Sequence, residues 1–166
     1  MSGGGAAGVF AYVGLGSNLD NPSEQIERAF ELLAHIPDSQ LVTRSSLYRS
    51  APLGDIEQPD FINAVAKIRT SLDAFALLAQ LQEIEDLQGR IRRERWGPRV
   101  LDLDLLAFGD LEIDTESLKV PHPGISQRNF VLLPLREVEP ELTIPGLAHI
   151  TEIPVDETTP SISRIL

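Results

Sequence analysis

The sequence predicts an α+β domain with a ferredoxin-like (βαββαβ) core, in which an antiparallel sheet packs against helices on one face. The main observation is the order of its segments, which runs strand, helix, strand, strand, helix, strand. The strand segments are apolar, alternating or rich in β-branched residues, and the helical segments carry an apolar stripe every three to four residues. Two strands that follow each other directly, without a crossover helix, favour antiparallel pairing.

The first half of the chain supplies three of these segments. Residues 9–15 form an apolar run that predicts a buried strand. Either Asn21 or Ser23 can cap the helix that follows, which we expect to end near Pro37. Residues 41–50 are rich in β-branched and hydroxyl side chains and predict one long strand.

The second half begins with a strand at residues 60–69, whose alternation places Phe61 and Asn63 on the same face. Its opposite face is apolar, comprising Ile62, Ala64, Ala66 and Ile68. Ser71 or Asp73 then caps a second helix that ends near Gly89. The last strand of the βαββαβ order lies at residues 100–108.

Beyond this core the pattern weakens. Residues 118–123 predict a short strand and a turn, and residues 130–137 predict a helix that Pro134 interrupts. We expect residues 1–8 to form a flexible leader, residues 9–146 a single domain, and residues 147–166 a C-terminal extension of uncertain structure.

The composition excludes several classes of protein. The 166 residues include no cysteine, which rules out disulfides and thiolate zinc sites and fits a cytoplasmic protein. The net charge of −11 argues against a nucleic-acid binder, since phosphate backbones require a broad positive surface. No apolar run approaches the ~20 residues that span a bilayer, so we expect no membrane partner.

The most informative segment of the chain is the strand at residues 100–108. Asp102 and Asp104 are two positions apart, so they share one face, with Cα atoms about 6.6 Å apart. Both carboxylates could therefore reach one Mg²⁺ ion or a pair of ions. Without a cation the two negative charges would repel each other.

The residues immediately before this strand are strongly basic. Five of the chain's fourteen lysines and arginines lie within residues 90–99. Guanidinium groups match phosphate oxygens in a bidentate fork, so the segment and the aspartates together indicate a site for a metal-bound polyphosphate. The alternative is a solvated charged loop followed by an edge strand with two exposed aspartates.

Several separated motifs appear in the order found in one known family. They are Gly14-Leu15-Gly16-Ser17-Asn18-Leu19, Tyr48-Arg49-Ser50-Ala51-Pro52-Leu53-Gly54, Gln58-Pro59-Asp60-Phe61-Ile62-Asn63, Glu94-Arg95-Trp96-Gly97-Pro98-Arg99, Leu101-Asp102-Leu103-Asp104 and Val120-Pro121-His122-Pro123, with Arg128 and Phe130 near the end. With these motifs the chain resembles the 6-hydroxymethyl-7,8-dihydropterin pyrophosphokinases of folate biosynthesis over about residues 9–145.

The resemblance implies a single pyrophosphokinase domain that transfers pyrophosphate from ATP, its co-substrate, to the hydroxymethyl oxygen of the pterin and releases AMP. It also implies that Asp102 and Asp104 hold two Mg²⁺ ions. The catalytic set would be completed by three arginines that contact phosphates, namely Arg90, Arg92 and Arg99.

By the same resemblance, the nucleotide site is lined by Gln82, Glu85, Trp96, Lys119, His122 and Arg128. The pterin would stack between Phe61 and Phe130. Its polar edge would be recognised by Asn63 and by backbone groups around Ser50, Ala51 and Leu53. The partners implied are small molecules, and we expect a monomer.

Two other functions remain open from the residues alone. An Asp-x-Asp pair also serves other Mg²⁺-dependent phosphotransferases. An RNA-binding ferredoxin-like module is the second alternative, against which the acidic composition and the absence of a basic, aromatic-rich strand both weigh.

Overall fold

An antiparallel sheet forms the centre of the computed structural model, which describes residues 8–52, 57–88 and 100–165. The core elements are β1 (Val9–Ser17), α1 (Pro22–Leu33), β2 (Ser39–Arg44), β3 (Tyr48–Ser50), β4 (Phe61–Thr70), α2 (Ala74–Leu87) and β5 (Asp102–Phe108). Strand β1 lies between β5 and β4, and both β2 and β3 pair with the free edge of β4. This arrangement confirms the predicted ferredoxin-like fold.

The C-terminal third adds smaller elements to this core. They are β6 (Ile113–Asp114), β7 (Lys119–Val120), α3 (Asn129–Val138), β8 (Thr143–Ile144), β9 (Ala148–His149), β10 (Ile162–Arg164) and two short 3-10 turns. Strand β10 pairs antiparallel with β3 and extends the main sheet by one strand. Residues 147–165, which carry no clear sequence pattern, therefore include a strand of the central sheet.

The alternation of β4 divides the core into two layers, as its sequence predicts. Ile62 and Ile68 pack in the larger apolar cluster, together with residues of α1 and α2 such as Phe30 and Leu77. Val65 faces the other way and packs in a second cluster with residues of α3. The prediction that helices cover only one face of the sheet is therefore wrong. Helix α3 covers the second face, and local periodicity does not tell which face of a sheet a helix covers.

The first turns of α1 and α2 differ in how they are capped. Asp73 caps α2, because its carboxylate accepts a hydrogen bond of 2.8 Å from the Ala76 N–H. Asn21 precedes α1 in a left-handed conformation, without a side-chain cap, and α1 ends at Leu33 rather than near Pro37. Among the described residues no helix is both long and apolar enough to cross a membrane.

The predicted long strand at residues 41–50 is wrong at its centre, since β2 and β3 are separate strands. The break is at Ser45, whose N–H donates to the Val65 carbonyl at 2.9 Å. Its hydroxyl in turn accepts a hydrogen bond of 2.8 Å from the Val65 N–H. A side-chain oxygen thus takes the place of a backbone carbonyl, which interrupts the ladder although the local residues all favour a strand.

Helix α3 runs without a break from Asn129 to Val138, so the predicted interruption at Pro134 is wrong. Proline lacks an N–H, and the carbonyl that loses its helical partner is that of Phe130, in the first turn. The apolar side of α3, which includes Leu132 and Leu135, packs on the sheet. This burial holds the helix in place despite the missing hydrogen bond.

One carboxylate, that of Glu137, anchors the end of α3 to the sheet edge. It accepts hydrogen bonds from the Ser46 N–H and hydroxyl and from the Tyr48 hydroxyl, at 2.8–3.1 Å. The Arg164 guanidinium of β10 lies 3.4 Å away. Burial raises the pKa of Tyr48 to about 12, with Glu137 adding to the shift.

These contacts make stability depend on pH. Burial acts to raise the pKa of Glu137, but the hydrogen bonds from Tyr48 and Ser46 and the charge of Arg164 outweigh it, so the pKa lies below the ordinary 4.5. A carboxyl group with a lowered pKa stabilises the fold at pH values above its pKa in the unfolded chain. That stabilisation is lost as the pH falls through its pKa in the folded protein. We therefore expect the contribution of Glu137 to be complete at pH 7 and to disappear below pH 4.5.

We expect Glu137→Gln to lower the free energy of unfolding by about 2 kcal/mol at pH 7, the range for hydrogen bonds to a charged group. The measurement is urea unfolding at pH 7 and at pH 3, with Glu31→Gln on the exposed side of α1 as control. At pH 3 the difference from the unsubstituted chain should shrink. An equal loss at both pH values would show that the charge of Glu137 contributes nothing.

Candidate active site

Two carboxylates begin strand β5. Leu103 and Leu105 are buried in the cluster under α1 and α2, so Asp102 and Asp104 lie on the opposite face of the sheet. Asp102 is half-buried and Asp104 is exposed. The structure thus places both carboxylates on the shared face that the alternation predicts.

Two glycines lie beside these carboxylates on the neighbouring strand β1. Gly14 pairs with Asp104 and Gly16 pairs with Asp102. On the other side of β1, Gly16 pairs with Asn63 of β4. Asn63 and Asp102 are therefore two strands apart, about 10 Å, and the residue of β1 that pairs with both, Gly16, has no side chain. We call this space the glycine gap (Gly16).

Asn63 forms the far side of the glycine gap. It is 5% exposed, and its Nδ2 donates a hydrogen bond of 2.8 Å to the Ser50 hydroxyl. Its Oδ1 is directed toward Gly16, since a Cβ added at Gly16 would lie 3.4 Å from that oxygen. Phe61 pairs with Ser50 and is half-buried on the same face as Asn63. Ala51 follows β3 directly.

His122, which follows β7, lies close enough to Asp104 for that charge to act on its ring. Its backbone N–H donates to the Leu106 carbonyl at 2.8 Å. Its Nδ1 accepts a hydrogen bond of 3.0 Å from the Gly124 N–H, so the neutral ring carries its proton on Nε2. Burial lowers the pKa of His122, the charge of Asp104 opposes this, and that of Arg128 adds to it. The net lowering leaves the ring neutral at pH 7.

Arg128 and Phe130 lie at the start of α3. The Arg128 guanidinium lies against Gly124, where an added Cβ would be 2.8 Å from its Nε. The Arg128 Cζ lies 5.9 Å from the centroid of the Phe130 ring, within the range of a cation–π contact. Arg128 also lies close enough to His122 to shift its pKa. The structure therefore brings His122, Arg128 and Phe130 together.

Three residues expected to line the nucleotide site are either exposed or bonded to other protein groups in the structure. Glu85 is buried, and its Oε2 accepts a hydrogen bond of 2.9 Å from the Leu103 N–H, between the two aspartates. Gln82 is exposed on α2. Lys119 forms a 2.6 Å ion pair with Asp114 across the β6–β7 hairpin. Of the remaining expected residues, Leu53, Arg90, Arg92, Trp96 and Arg99 lie outside the described residues.

The metal prediction rests on a carboxylate pair and not on a complete cluster. Within residues 8–52, 57–88 and 100–165, no three or more histidine, cysteine or acidic side chains are grouped so as to hold a metal ion. Asp102 and Asp104 supply hard oxygen ligands, the type that Mg²⁺ takes. Mg²⁺ bound through one or two carboxylates plus substrate phosphates suits a pair of this kind, so the residues present fit the ion.

A comparison with models of known protein families assigns the chain to one of them. The family model described as 7,8-dihydro-6-hydroxymethylpterin-pyrophosphokinase (HPPK) matches residues 12–140. The chain belongs to this family. The match includes both carboxylates, the glycine gap, Asn63, His122 and the first part of α3, so the site described above lies entirely within the HPPK region.

Curated HPPK relatives match nearly the whole chain. A protein of Haemophilus influenzae named 2-amino-4-hydroxy-6-hydroxymethyldihydropteridine pyrophosphokinase is 47% identical over 145 residues, covering 87% of this chain and 91% of that protein. A Pseudomonas aeruginosa protein of the same name is 49% identical over 142 residues, covering 86% and 88%.

Solved structures show the same fold at low identity. A crystal structure of an HPPK-DHPS in complex with substrates has a TM-score of 0.71 at 14% identity and covers 88% of this chain. A Plasmodium falciparum HPPK-DHPS has a TM-score of 0.66 at 15% identity and covers 87%. The chain spans 42% and 44% of those two solved chains, respectively, so the likeness concerns the fold of their matching part.

Sequence reasoning missed two kinds of residue in this HPPK site. Gly16 carries no functional group, yet its missing side chain leaves the space between Asn63 and Asp102. Two glycines two positions apart in a strand are a signal that could have been used. Asn129, beside Phe130, has no such signal, because its partners lie about 30 positions away.

Proposed function

We propose that the chain catalyses the reaction after which its family is described. The hydroxymethyl oxygen of 6-hydroxymethyl-7,8-dihydropterin attacks the β-phosphorus of ATP. The bond between that phosphorus and the oxygen bridging to the α-phosphorus breaks, so AMP leaves and the hydroxyl loses its proton. The observation that carries the proposal is the glycine gap, which separates an amide suited to a pterin from two carboxylates suited to metal-bound phosphates.

At the pterin end, Asn63 offers both a donor and an acceptor to the edge of a heterocycle. Its hydrogen bond to Ser50 fixes the orientation of the amide. We propose that Phe61 and Phe130 stack on the two faces of the ring, where a flat aromatic gains from both contacts. Backbone groups at Ser50 and Ala51, with Leu53 beyond the described residues, would complete the recognition of the polar edge.

At the nucleotide end, the groups next to the carboxylates are positive or neutral donors. Neutral His122 presents its Nε2–H, and Arg128 adds a fixed positive charge. We propose that both contact the phosphates or the nucleotide, together with Arg90, Arg92, Arg99 and Trp96, which lie outside the described residues. Phosphoryl-type transfer depends mainly on positioning and on stabilisation of charge, which such donors supply.

We propose that Asp102 and Asp104 hold two Mg²⁺ ions. When bound, the ions neutralise charge on the phosphates and lower the pKa of a coordinated hydroxyl. Glu85 supports the carboxylates indirectly, since its hydrogen bond to the Leu103 N–H fixes the strand between them. Roles for Gln82, Glu85 and Lys119 in nucleotide binding stay predictions, as do the cytoplasmic location and the monomeric state.

The identity of the nucleotide product tests the proposed reaction. We expect the purified chain, mixed with ATP, Mg²⁺ and 6-hydroxymethyl-7,8-dihydropterin, to form AMP and a pterin diphosphate in equal amounts. The measurement is chromatography of the nucleotides over time, with a reaction lacking the pterin as control. Formation of ADP instead would show transfer of the terminal phosphate alone, and would favour another Mg²⁺-dependent phosphotransferase that uses the same Asp-x-Asp pair.

A further inference from the structure

Asn129 forms a buried connection between α3 and the C-terminal residues. It is 3% exposed, and its Nδ2 donates two hydrogen bonds of 2.7 Å, to the carbonyls of Asp156 and Pro160. Its Oδ1 is buried, with no hydrogen-bond partner among the residues that the structure describes. The polar contribution of this side chain therefore comes entirely from the two bonds that Nδ2 donates.

The acceptors of these bonds are held in a fixed turn. The Asp156 carboxylate accepts hydrogen bonds from both the N–H and the hydroxyl of Thr158. Thr158 and Ser161 are joined by an antiparallel bridge that closes the turn. The two carbonyls thus have a defined position before Asn129 contacts them, which reduces the conformational entropy lost in forming the bonds.

The same segment also binds the opposite side of the site. The Ser161 carbonyl accepts a hydrogen bond of 3.1 Å from the Ala51 N–H. Strand β10 pairs with β3 in the register Ile162 to Ser50, and the Ile165 N–H donates to the Leu47 carbonyl at 2.8 Å. Residues 156–165, which we call the C-terminal brace, contact Ser50 and Ala51 at one end and Asn129 at the other.

The two ends of the brace are the two sides of the proposed pterin site. Ser50 pairs with Phe61 and accepts the hydrogen bond from Asn63. Asn129 is adjacent to Phe130, in the first turn of α3. The match to the family model ends at residue 140, before the brace begins.

We propose that the C-terminal brace, through Asn129, sets the separation of Phe61 and Phe130 and so acts as a positioning element for the pterin. The inference rests on the proposed function. A stacked ring requires two walls at a fixed spacing, and these walls belong to different elements, β4 and α3. The brace joins α3 by hydrogen bonds to β3, whose Ser50 pairs with Phe61 of β4.

The test compares the substitution Asn129→Ala with a matched control. Ser39→Ala also removes two hydrogen bonds, to the Pro37 carbonyl and the Thr70 hydroxyl. Thr70 is nine residues along β4 from Phe61, about 30 Å away. For each variant the initial rate of AMP formation is measured at varied pterin and at varied ATP. Circular dichroism and melting temperature verify that each variant is folded.

We expect Asn129→Ala to raise KM for the pterin about tenfold, because small displacements of a substrate-positioning wall have large effects. KM for ATP should change less than twofold, and Ser39→Ala should change neither constant. A loss of stability alone would lower the amount of active enzyme without separating the two KM values. Thr158→Val, which loosens only the exposed turn, should raise the pterin KM in the same direction by a smaller factor.

Other results would overturn the inference. If Asn129→Ala is folded and both KM values are unchanged, or rise equally, the brace does not position the pterin. If Asn129→Ala fails to fold, an unchanged pterin KM in Thr158→Val leads to the same conclusion. Failure of the unsubstituted chain to release AMP or to bind the pterin in calorimetry would reject the proposed function, and the inference with it.

Discussion

Asp104→Asn is expected to lower the rate of AMP formation by about a thousandfold, since a lost metal ligand removes several kcal/mol of transition-state stabilisation. Asp104 is exposed at the start of β5 and pairs with Gly14, so the substitution leaves no cavity. The melting temperature should therefore stay within about 2 °C, the range for surface substitutions. Asp102→Asn should lower the rate similarly.

The measurement is the steady-state rate at increasing Mg²⁺, compared with Asp110→Asn as a control. Asp110 is an exposed aspartate in the turn that follows β5, two residues beyond the end of the strand. We expect the control to retain the full rate. A folded Asp104→Asn variant that keeps nearly full activity at ordinary Mg²⁺ would show that this carboxylate is not a metal ligand.

The second large effect is expected from Gly16→Val, which fills the glycine gap. A Cβ at Gly16 already lies 3.4 Å from the Asn63 Oδ1, and the two methyl groups of valine would occupy the space between Asn63 and Asp102. Valine favours strands, so β1 should still form. We expect loss of activity by at least a hundredfold, because a misplaced substrate loses most of the benefit of orientation.

The graded variant Gly16→Ala separates steric blocking from a change in the strand. Its Cβ alone would lie in contact with Asn63 Oδ1 at 3.4 Å, so the activity should fall by less than tenfold. Rates and pterin binding by calorimetry are measured for both variants. Equal activities of the alanine and valine variants would contradict a substrate path through the gap.

Much of this structure follows from local sequence. The alternation of residues 61–68 correctly separates Ile62 from Asn63, because a strand places neighbouring side chains on opposite faces. The same rule places Asp102 and Asp104 together. Asp73 is found as a cap for α2, since a short acceptor before an apolar stripe satisfies a free helix N–H.

The features that sequence reasoning missed depend on distant partners. The break between β2 and β3 requires the Ser45 hydroxyl to meet the Val65 N–H, 20 residues away. Strand β10 has three residues and pairs with β3 more than 100 positions earlier. The sequence around Glu85 does not indicate that its carboxylate accepts a hydrogen bond from the backbone of β5. Such contacts form only after the sheet has assembled, so no local pattern carries them.

We propose that one sheet face, divided by Gly16, holds both substrates. A crystal structure with Mg²⁺, a non-hydrolysable ATP analogue and the pterin tests it most directly. We expect the phosphates and metal at Asp102 and Asp104, and the pterin ring beside Asn63. Density for the nucleotide on the α1 and α2 side of the sheet, or for the pterin away from Asn63, would contradict the claim.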